Sequence, residues 1–370
     1  MNNIPPNKKV LDYAIIGGGV SGLYCGWRLR KNSPCSVTIF EAGSRIGGRL
    51  LSVIPPKIPS ARVELGGMRF IKDLQPWITA LVLEGLQLET ETLPAEMPQN
   101  IAYVRHKLLR HFELTDPDKV PYFLRNDELG TNDLLNLTAT AAMRALSPTI
   151  KELLGIDIEK WQDLALQPYG KMTKTGWRKV TEEGTFEGRP LWSLPIRYLI
   201  LRSISHEGFR MAEETSGYDS VLNTWNAADG FPWNVMDYGP NVEYLHLVDG
   251  FSQVPLQIGE RFEQEGGSLR LHARLEEFTR EPSGLIHLTI IEDGKRAQYL
   301  ARNLILAMPR RAIELLKSSG PILSLENKKV RKLLESVTPI PLFKLAICYD
   351  RPWFQDPELV PPVVVPDQGL

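Results

Sequence analysis

Apolar and polar positions near the start of the chain predict three consecutive elements. Residues 10–16 (VLDYAII) form a short apolar run that favours a strand. A glycine cluster follows, and residues 20–31 have the pattern of a helix. Residues 37–40 are apolar again and predict a second strand, which ends at Glu41. The order strand, helix, strand predicts a βαβ unit at the start of the chain.

The pattern changes twice further along. Between about residues 150 and 245 it is mainly that of helices and loops, and beyond that point strands with hairpin turns dominate. The predicted helices cover residues 77–86, 131–146, 149–155 and a stretch ending near 264. The predicted strands lie within residues 102–112, 268–309 and 342–348, with a short extended piece at 360–366.

Composition narrows the class of protein. A chain of 370 residues is long enough for two domains, and its net charge of −1 gives no global field for nucleic acid or an anionic membrane. The three cysteines form no CxxC pair, which argues against a disulfide scaffold and a structural zinc site. Without a secretory signal or a run long enough to span a bilayer, we expect a cytoplasmic protein.

The glycine cluster fits the pattern G-x-G-x-x-G at Gly17, Gly19 and Gly22. In this pattern the glycines permit a tight turn, a close approach to a pyrophosphate and close helix packing. The helix that begins at Val20 and Ser21 would direct its N–H groups at the phosphates. Glu41, 19 residues after Gly22, can accept hydrogen bonds from ribose hydroxyls and disfavours NADP. These residues predict a site for the ADP half of a dinucleotide.

The next residues identify the dinucleotide. Glu41 is followed by Ala42 and then by the segment Arg45-Ile46-Gly47-Gly48-Arg49, and here the chain resembles the flavin amine oxidase family. The resemblance implies that FAD is the cofactor, with Ala42, Arg45, Gly48 and Arg49 among its binding residues. Guanidinium groups suit phosphate geometrically.

A second glycine pair extends the resemblance and indicates the substrate. Gly66-Gly67-Met68-Arg69 is similar to the family's turn beside the flavin. In L-amino-acid oxidases and tryptophan monooxygenases an arginine at this position binds the substrate carboxylate, so the resemblance assigns that role to Arg69. The alternative is that Arg69 pairs with a carboxylate of the protein itself.

Later stretches follow the family's order. Residues 248–255 resemble its entry to a helix, residues 269–278 its strand past the adenine, with Leu275 at the contact, and residues 304–309 its return to the FAD domain. Lys344 matches a lysine that holds a water near flavin N5. The alternative is a lysine on an exposed strand face.

The implied fold class is α/β, with a Rossmann-like FAD-binding domain and a second substrate domain of mixed sheet and helices. We predict FAD-binding parts at residues 1–75 and 246–310, and substrate parts at 76–245 and 311–370. Family members continue beyond the point matching residue 370. We therefore expect a second chain or a further C-terminal segment to complete the FAD site, within a homo- or hetero-oligomer.

The predicted reaction is oxidation of an L-amino acid by O2 to the 2-oxo acid, ammonia and hydrogen peroxide. Three alternatives stay open: an amide-forming amino-acid monooxygenase, an amine or polyamine oxidase, and a non-catalytic flavin-fold subunit. Catalysis would rest on Arg69 and Lys344. No nucleic-acid, membrane or metal partner is expected.

Overall fold

The computed structural model describes residues 10–93, 100–129, 136–166, 170–216, 219–237, 242–316, 326–340 and 342–351. Its strands are β1 Leu11–Ile16, β2 Val37–Phe40, β3 Ser52–Val53, β4 Val63–Glu64, β5 Phe70–Ile71, β6 Thr90–Thr92, β7 Ile101–Val104, β8 Lys107–Arg110, β9 Thr185–Phe186, β10 Arg189–Pro190, β11 Tyr244–Leu247, β12 Ser268–Arg270, β13 Ala273–Arg280, β14 Ile286–Glu292 and β15 Lys295–Leu306.

The α-helices are α1 Val20–Asn32, α2 Pro76–Thr79, α3 Asn126–Leu129, α4 Leu137–Leu154, α5 Lys174–Glu183, α6 Ile196–Ser203, α7 His206–Ser216, α8 Asp219–Thr224, α9 Ala227–Asp237, α10 Gln253–Gln264, α11 Arg310–Glu314 and α12 Lys328–Glu335. A π-helical turn at Ala80–Gly85 continues α2, and short 3-10 turns cover His111–Thr115, Trp161–Leu164 and Leu191–Ser193.

The predicted βαβ unit is present as β1, α1 and β2. The two strands are parallel, with Ala14 opposite Thr38 and Ile16 opposite Phe40. Helix α1 packs its buried residues Leu23 and Trp27 in a core that also contains α10. Burial of such apolar side chains, each contributing about 1.5–3 kcal/mol, fixes the helix on one face of the sheet.

A six-stranded sheet, in the order β12-β2-β1-β15-β14-β13, carries this unit. β12, β2, β1 and β15 run parallel, whereas β15, β14 and β13 form an antiparallel meander. The long strand β15 joins the two parts, because Ala301 lies opposite Leu11 on one side and Ile286 on the other. The end of the strands nearest Glu41 is therefore built from segments far apart in the sequence.

A separate core holds the helical region. It is formed by α4, α5, α6, α7 and α9, and its fully buried members include Leu146, Ile150 and Phe231. A small antiparallel sheet in the order β5-β11-β6 adds a further layer. These cores agree with the predicted class, an α/β sheet domain beside a mixed helical region. The proposed residue boundaries of the domains stay a prediction.

Two predicted elements are wrong. Residues 137–154 form one helix, not two, and Pro148 lies inside it. Proline inside a helix costs about 3 kcal/mol, but Leu146 and Ile150 on either side are buried and offset this loss. The helix ends at Gly155 with positive φ, as its glycine predicts. The predicted start at Thr131 lies outside the described residues, as does the extended piece at 360–366.

The second error concerns residues 342–348, which form no strand. An extended segment becomes a strand only when another strand supplies hydrogen-bond partners, and no strand of the described chain pairs with this one. Its apolar side chains are exposed, with Phe343 82% accessible.

No helix in the described part of the chain is long and apolar enough to cross a membrane.

Candidate functional site

The glycine loop between β1 and α1 has two glycines that the protein's own packing requires. Gly17 has a φ of +112°, and a Cβ added there would lie 2.3 Å from the carbonyl oxygen of Ala307. A Cβ added at Gly22 would lie 2.0 Å from the carbonyl oxygen of Gly17. Both distances are far below van der Waals contact, so helix, loop and returning strand β15 pack here without room for a side chain.

Gly19 differs from these two glycines. A Cβ added at Gly19 would meet nothing within 4 Å, so the structure leaves open space in front of it. Gly19 is also the N-cap of α1 and offers no side chain to its N–H groups, and no acidic residue lies in the first turn. The positive end of α1 therefore lies beside this open space without a side-chain cap, which suits a pyrophosphate.

Glu41 lies at the end of β2, beside the glycine loop. One carboxylate oxygen accepts a hydrogen bond from the Gly18 N–H and the other from the Gly43 N–H, each at 2.7 Å. The Glu41 backbone is held as well, by Arg270 on one side and Ala273 on the other. A carboxylate oriented this firmly, with lone pairs left over, can accept ribose hydroxyls.

The segment after Glu41 turns back along the glycine loop. The Gly47 N–H donates to the Gly18 carbonyl at 2.8 Å, which brings Gly48 beside Gly19. Arg45 donates to the carbonyl oxygens of Ile46, Gly48 and Leu50 at 2.8–3.2 Å. Its guanidinium thus braces the turn itself. Arg49 is exposed beside the loop, as is Ala42. Contact of these residues with the phosphates stays a prediction.

The Gly66-Gly67 turn crosses directly over this segment. The Gly67 N–H donates to the Arg49 carbonyl at 3.2 Å, and a Cβ added at Gly66 would lie only 1.8 Å from that oxygen. The close crossing of two backbones therefore requires glycine at position 66 even without a neighbouring ligand. Met68, next in the turn, is half-buried.

Glu64 lies just before the Gly66-Gly67 turn and is held in place by several hydrogen bonds. Its carboxylate accepts hydrogen bonds from the Ser52 hydroxyl at 2.8 and 2.9 Å and from the Phe251 N–H at 2.9 Å. Ser52 and Ser252 are also linked, because the N–H of each donates to the hydroxyl of the other. The network ties the turn to the start of α10. An acidic residue two positions before the glycine pair was the only signal of this network in the sequence.

Arg69 has no carboxylate partner within ion-pair distance among the described residues. Its guanidinium lies on the face of the Tyr244 ring, with its central carbon 4.0 Å from the ring centroid. The Tyr244 hydroxyl donates to the Asp237 carboxylate at 2.9 Å. For the described residues, the interpretation of Arg69 as half of an internal salt bridge is therefore not supported. Neither Tyr244 nor Asp237 carried a motif that sequence reasoning could have used.

Lys344 reaches the same turn from the extended segment. Its ammonium donates to the carbonyl oxygens of Gly66 at 2.5 Å and Glu64 at 3.3 Å. Burial lowers the pKa of Lys344, the nearby Glu64 charge opposes this shift, and the Arg69 charge adds to it. Lys344 thus contacts the same turn and lies within the electrostatic influence of Arg69, and its predicted catalytic role stays a prediction. The exposed-face alternative fails for this side chain, although the residues around it are exposed.

Leu275 lies on β13, next to the strand end that carries Glu41. It is buried in a cluster with Phe40 and Ala273. This position places it on the adenosine side of the predicted site. Contact with an adenine stays a prediction.

Comparison with known proteins identifies the family. The family model "Flavin containing amine oxidoreductase" matches residues 20–366. The chain belongs to this family, and the resemblance expected from the sequence is confirmed. The cofactor that the glycine loop and Glu41 would hold is accordingly a flavin, FAD. The open space at Gly19, the uncapped start of α1 and the oriented Glu41 carboxylate all fit its ADP half.

Individual relatives are distant over most of the chain. Achacin from Lissachatina fulica is 26% identical over 367 residues, covering 95% of this chain and 63% of achacin. Aplysianin-A from Aplysia kurodai is 26% identical over 365 residues, covering 94% of this chain and 61% of the relative. The chain thus spans less than two thirds of the length of these relatives. Tryptophan 2-monooxygenase from Agrobacterium vitis is 43% identical, but over 65 residues, 18% of this chain.

Solved structures confirm the fold class. Putrescine oxidase bound to putrescine superposes with a TM-score of 0.52 at 16% identity, covering 89% of this chain and 64% of that chain. A likeness at this identity establishes a shared fold.

Proposed function

We propose that the protein oxidises an L-amino acid to the 2-oxo acid, with release of ammonia and hydrogen peroxide. The observation that carries the proposal is Arg69, a half-buried guanidinium without a carboxylate partner among the described residues, beside the glycine turn. A half-buried cation with no carboxylate within ion-pair distance in the described part of the chain can bind an α-carboxylate with bidentate geometry. The 43% identity to a tryptophan 2-monooxygenase over 65 residues also supports an amino-acid substrate.

Each residue would have a defined task. Arg69 binds the carboxylate and so fixes the orientation of the Cα–H bond. Lys344 holds the turn through two carbonyl oxygens, which leaves its third N–H for a water molecule near the reacting carbon. The bound FAD supplies the two-electron acceptor and returns the electrons to O2. Water then hydrolyses the imino acid, so that one amino acid, one O2 and one water give oxo acid, ammonia and peroxide.

The test compares acids with their decarboxylated amines. Peroxide formation is measured across L-amino acids and the matching amines for the wild type, Arg69→Ala and Arg69→Lys. A charged hydrogen bond contributes about 1.5–3 kcal/mol, so Arg69→Ala should lower kcat/KM for the acids roughly 10- to 150-fold and leave the amines unchanged. Arg178→Ala, at an exposed arginine paired with Glu182, is the matched control. An unchanged kcat/KM for the acids in Arg69→Ala would contradict the proposal.

An amino-acid monooxygenase is the second candidate, favoured by the same short match to tryptophan 2-monooxygenase. It would use the same carboxylate site but release an amide and carbon dioxide. Product analysis by mass spectrometry separates the two, because the oxidase gives the oxo acid and peroxide.

A further inference from the structure

The contact between Arg69 and Tyr244 follows from strand register. Strand β11 pairs with β5 in antiparallel fashion, with Tyr244 opposite Ile71 and Leu245 opposite Phe70. Arg69 directly precedes β5 and is two residues from Ile71, so it lies on the same face of the sheet as Tyr244 and is its diagonal neighbour. The pairing therefore places the ring under the guanidinium.

A stacked guanidinium is held differently from one in an ion pair. The ring attracts the cation through its face, while the N–H donors lie in the guanidinium plane and point outward. A carboxylate partner would instead occupy two of those donors, and a substrate carboxylate would have to compete with it. Stacking thus fixes the position of Arg69 and keeps its donors available.

Asp237 occupies a place that is unfavourable for a carboxylate. It is the last residue of α9, only 6% exposed, at the helix end where the dipole is negative. Burial raises the pKa of Asp237, while the hydrogen bond from Tyr244 and the charge of Arg69 lower it. Tyr244 and Arg69 are therefore the groups that stabilise the ionised form of this buried carboxyl.

We propose that Tyr244 and Asp237 are positioning residues, which hold the Arg69 guanidinium over the ring so that its donors are available to a substrate carboxylate. Asp237 fixes the Tyr244 hydroxyl, and the ring fixes the cation. This inference deepens the proposed function and rests on it. It assigns to Tyr244 and Asp237 a part in the preference of the site for acids over amines.

The test uses two ligands that cannot be oxidised. 2-Aminoisobutyrate has a carboxylate and no hydrogen on Cα, and tert-butylamine is its counterpart without the carboxylate. Dissociation constants are measured on the FAD-bound protein from the change in flavin absorbance, and FAD affinity is measured in parallel. The variants are Tyr244→Leu, Tyr244→Phe, Asp237→Leu and Arg69→Ala.

The control variant is Tyr198→Leu. Tyr198 is part of a similar surface group, because Arg189 lies over its ring at 6.0 Å and its hydroxyl donates to Glu187 at 2.7 Å. The group lies in the helical region, away from the glycine turns. We expect it to leave both ligand affinities unchanged.

For Tyr244→Leu we expect about fivefold to tenfold weaker binding of the acid, with the amine and FAD within about twofold. Tyr244→Phe keeps the ring and should restore most of the affinity. Asp237→Leu keeps the ring and the hydrogen bond from the hydroxyl to the backbone carbonyl of residue 237, but it removes the carboxylate acceptor, so we expect a loss of about two- to threefold for the acid alone. If Tyr244→Leu also loses FAD, the affinity of Asp237→Leu for the acid tests the positioning role instead.

The outcomes separate the two proposals. If Arg69→Ala loses the acid but Tyr244→Leu and Asp237→Leu retain it, the positioning role is wrong and the proposed function stands. If the substitutions weaken acid and amine equally, the residues are merely structural and the inference is overturned. If Arg69→Ala binds the acid as the wild type does, or the wild type does not prefer acid to amine, the proposed function itself fails.

Discussion

Two substitutions in the glycine loop should separate an effect on the stability of the fold from an effect on FAD binding. Gly22→Ala adds a Cβ 2.0 Å from a backbone oxygen, which cannot swing aside, whereas Gly19→Ala adds one with nothing within 4 Å. The two substitutions are chemically identical and three positions apart. Gly22→Ala should nevertheless lower mainly the stability of the fold, and Gly19→Ala mainly the affinity for FAD.

The magnitudes follow from the contacts. Alanine in place of a helical glycine gains about 1 kcal/mol, but a backbone overlap of this size costs about 3 kcal/mol, so Gly22→Ala should lose about 2 kcal/mol of stability. That corresponds to a fall in Tm of roughly 4–8 °C. Gly19→Ala changes only an N-cap and should cost about 1 kcal/mol or less. It fills the space proposed for the pyrophosphate, and losing a charged hydrogen bond there would weaken FAD roughly 10- to 150-fold.

Thermal unfolding by circular dichroism and FAD titration by fluorescence measure the two quantities. Gly85→Ala is the matched control, because a Cβ there meets only ordinary contacts at 3.5 Å or more. Unchanged FAD affinity in Gly19→Ala would refute the assignment of the open space to the pyrophosphate. A Gly22→Ala protein as stable as the wild type would refute the packing argument.

Three further predictions concern single charged groups. Glu41→Gln keeps one acceptor oxygen for its two N–H donors, so FAD should bind about tenfold more weakly in a titration, and Glu41→Ala should be weaker still. The hydrogen bond from Arg105 is the largest cause that lowers the pKa of Glu207 from 4.5 to about 2. A depressed carboxyl pKa stabilises the folded state above pH 4.5, and this stability is lost as the pH falls towards 2. Urea unfolding should show a shallower acid decline in Glu207→Gln, and an identical profile would contradict this reasoning. Lys344→Met should slow oxidation of the reduced protein by O2 in stopped-flow experiments more than it slows reduction; equal slowing would indicate that Lys344 only holds the turn.

Those parts of the fold whose contacts are local could be predicted from the amino-acid pattern. The βαβ unit was predicted with nearly the bounds that the structure has, because apolar periodicity and the glycine spacing act within about thirty residues. Glu41 was predicted from its spacing to the glycine loop, and Arg69 from the resemblance of its glycine turn to that of the family. Sequence reasoning failed where long-range packing decides: α4 continues through Pro148, and residues 342–348 pair with no strand among the residues that the structure describes.

The surroundings of Arg69, in contrast, depend on long-range pairing. Tyr244 reaches it through the register of β11 against β5, and Lys344 reaches the same turn from 278 residues further along the chain. The structure also showed that Arg45 braces its own turn and that Gly66 is required by a crossing backbone. Such contacts depend on which distant segments pair and at what offset. Local propensity and spacing do not specify that offset. The offset matters because a shift of one residue would turn every side chain of a strand to the other face of the sheet.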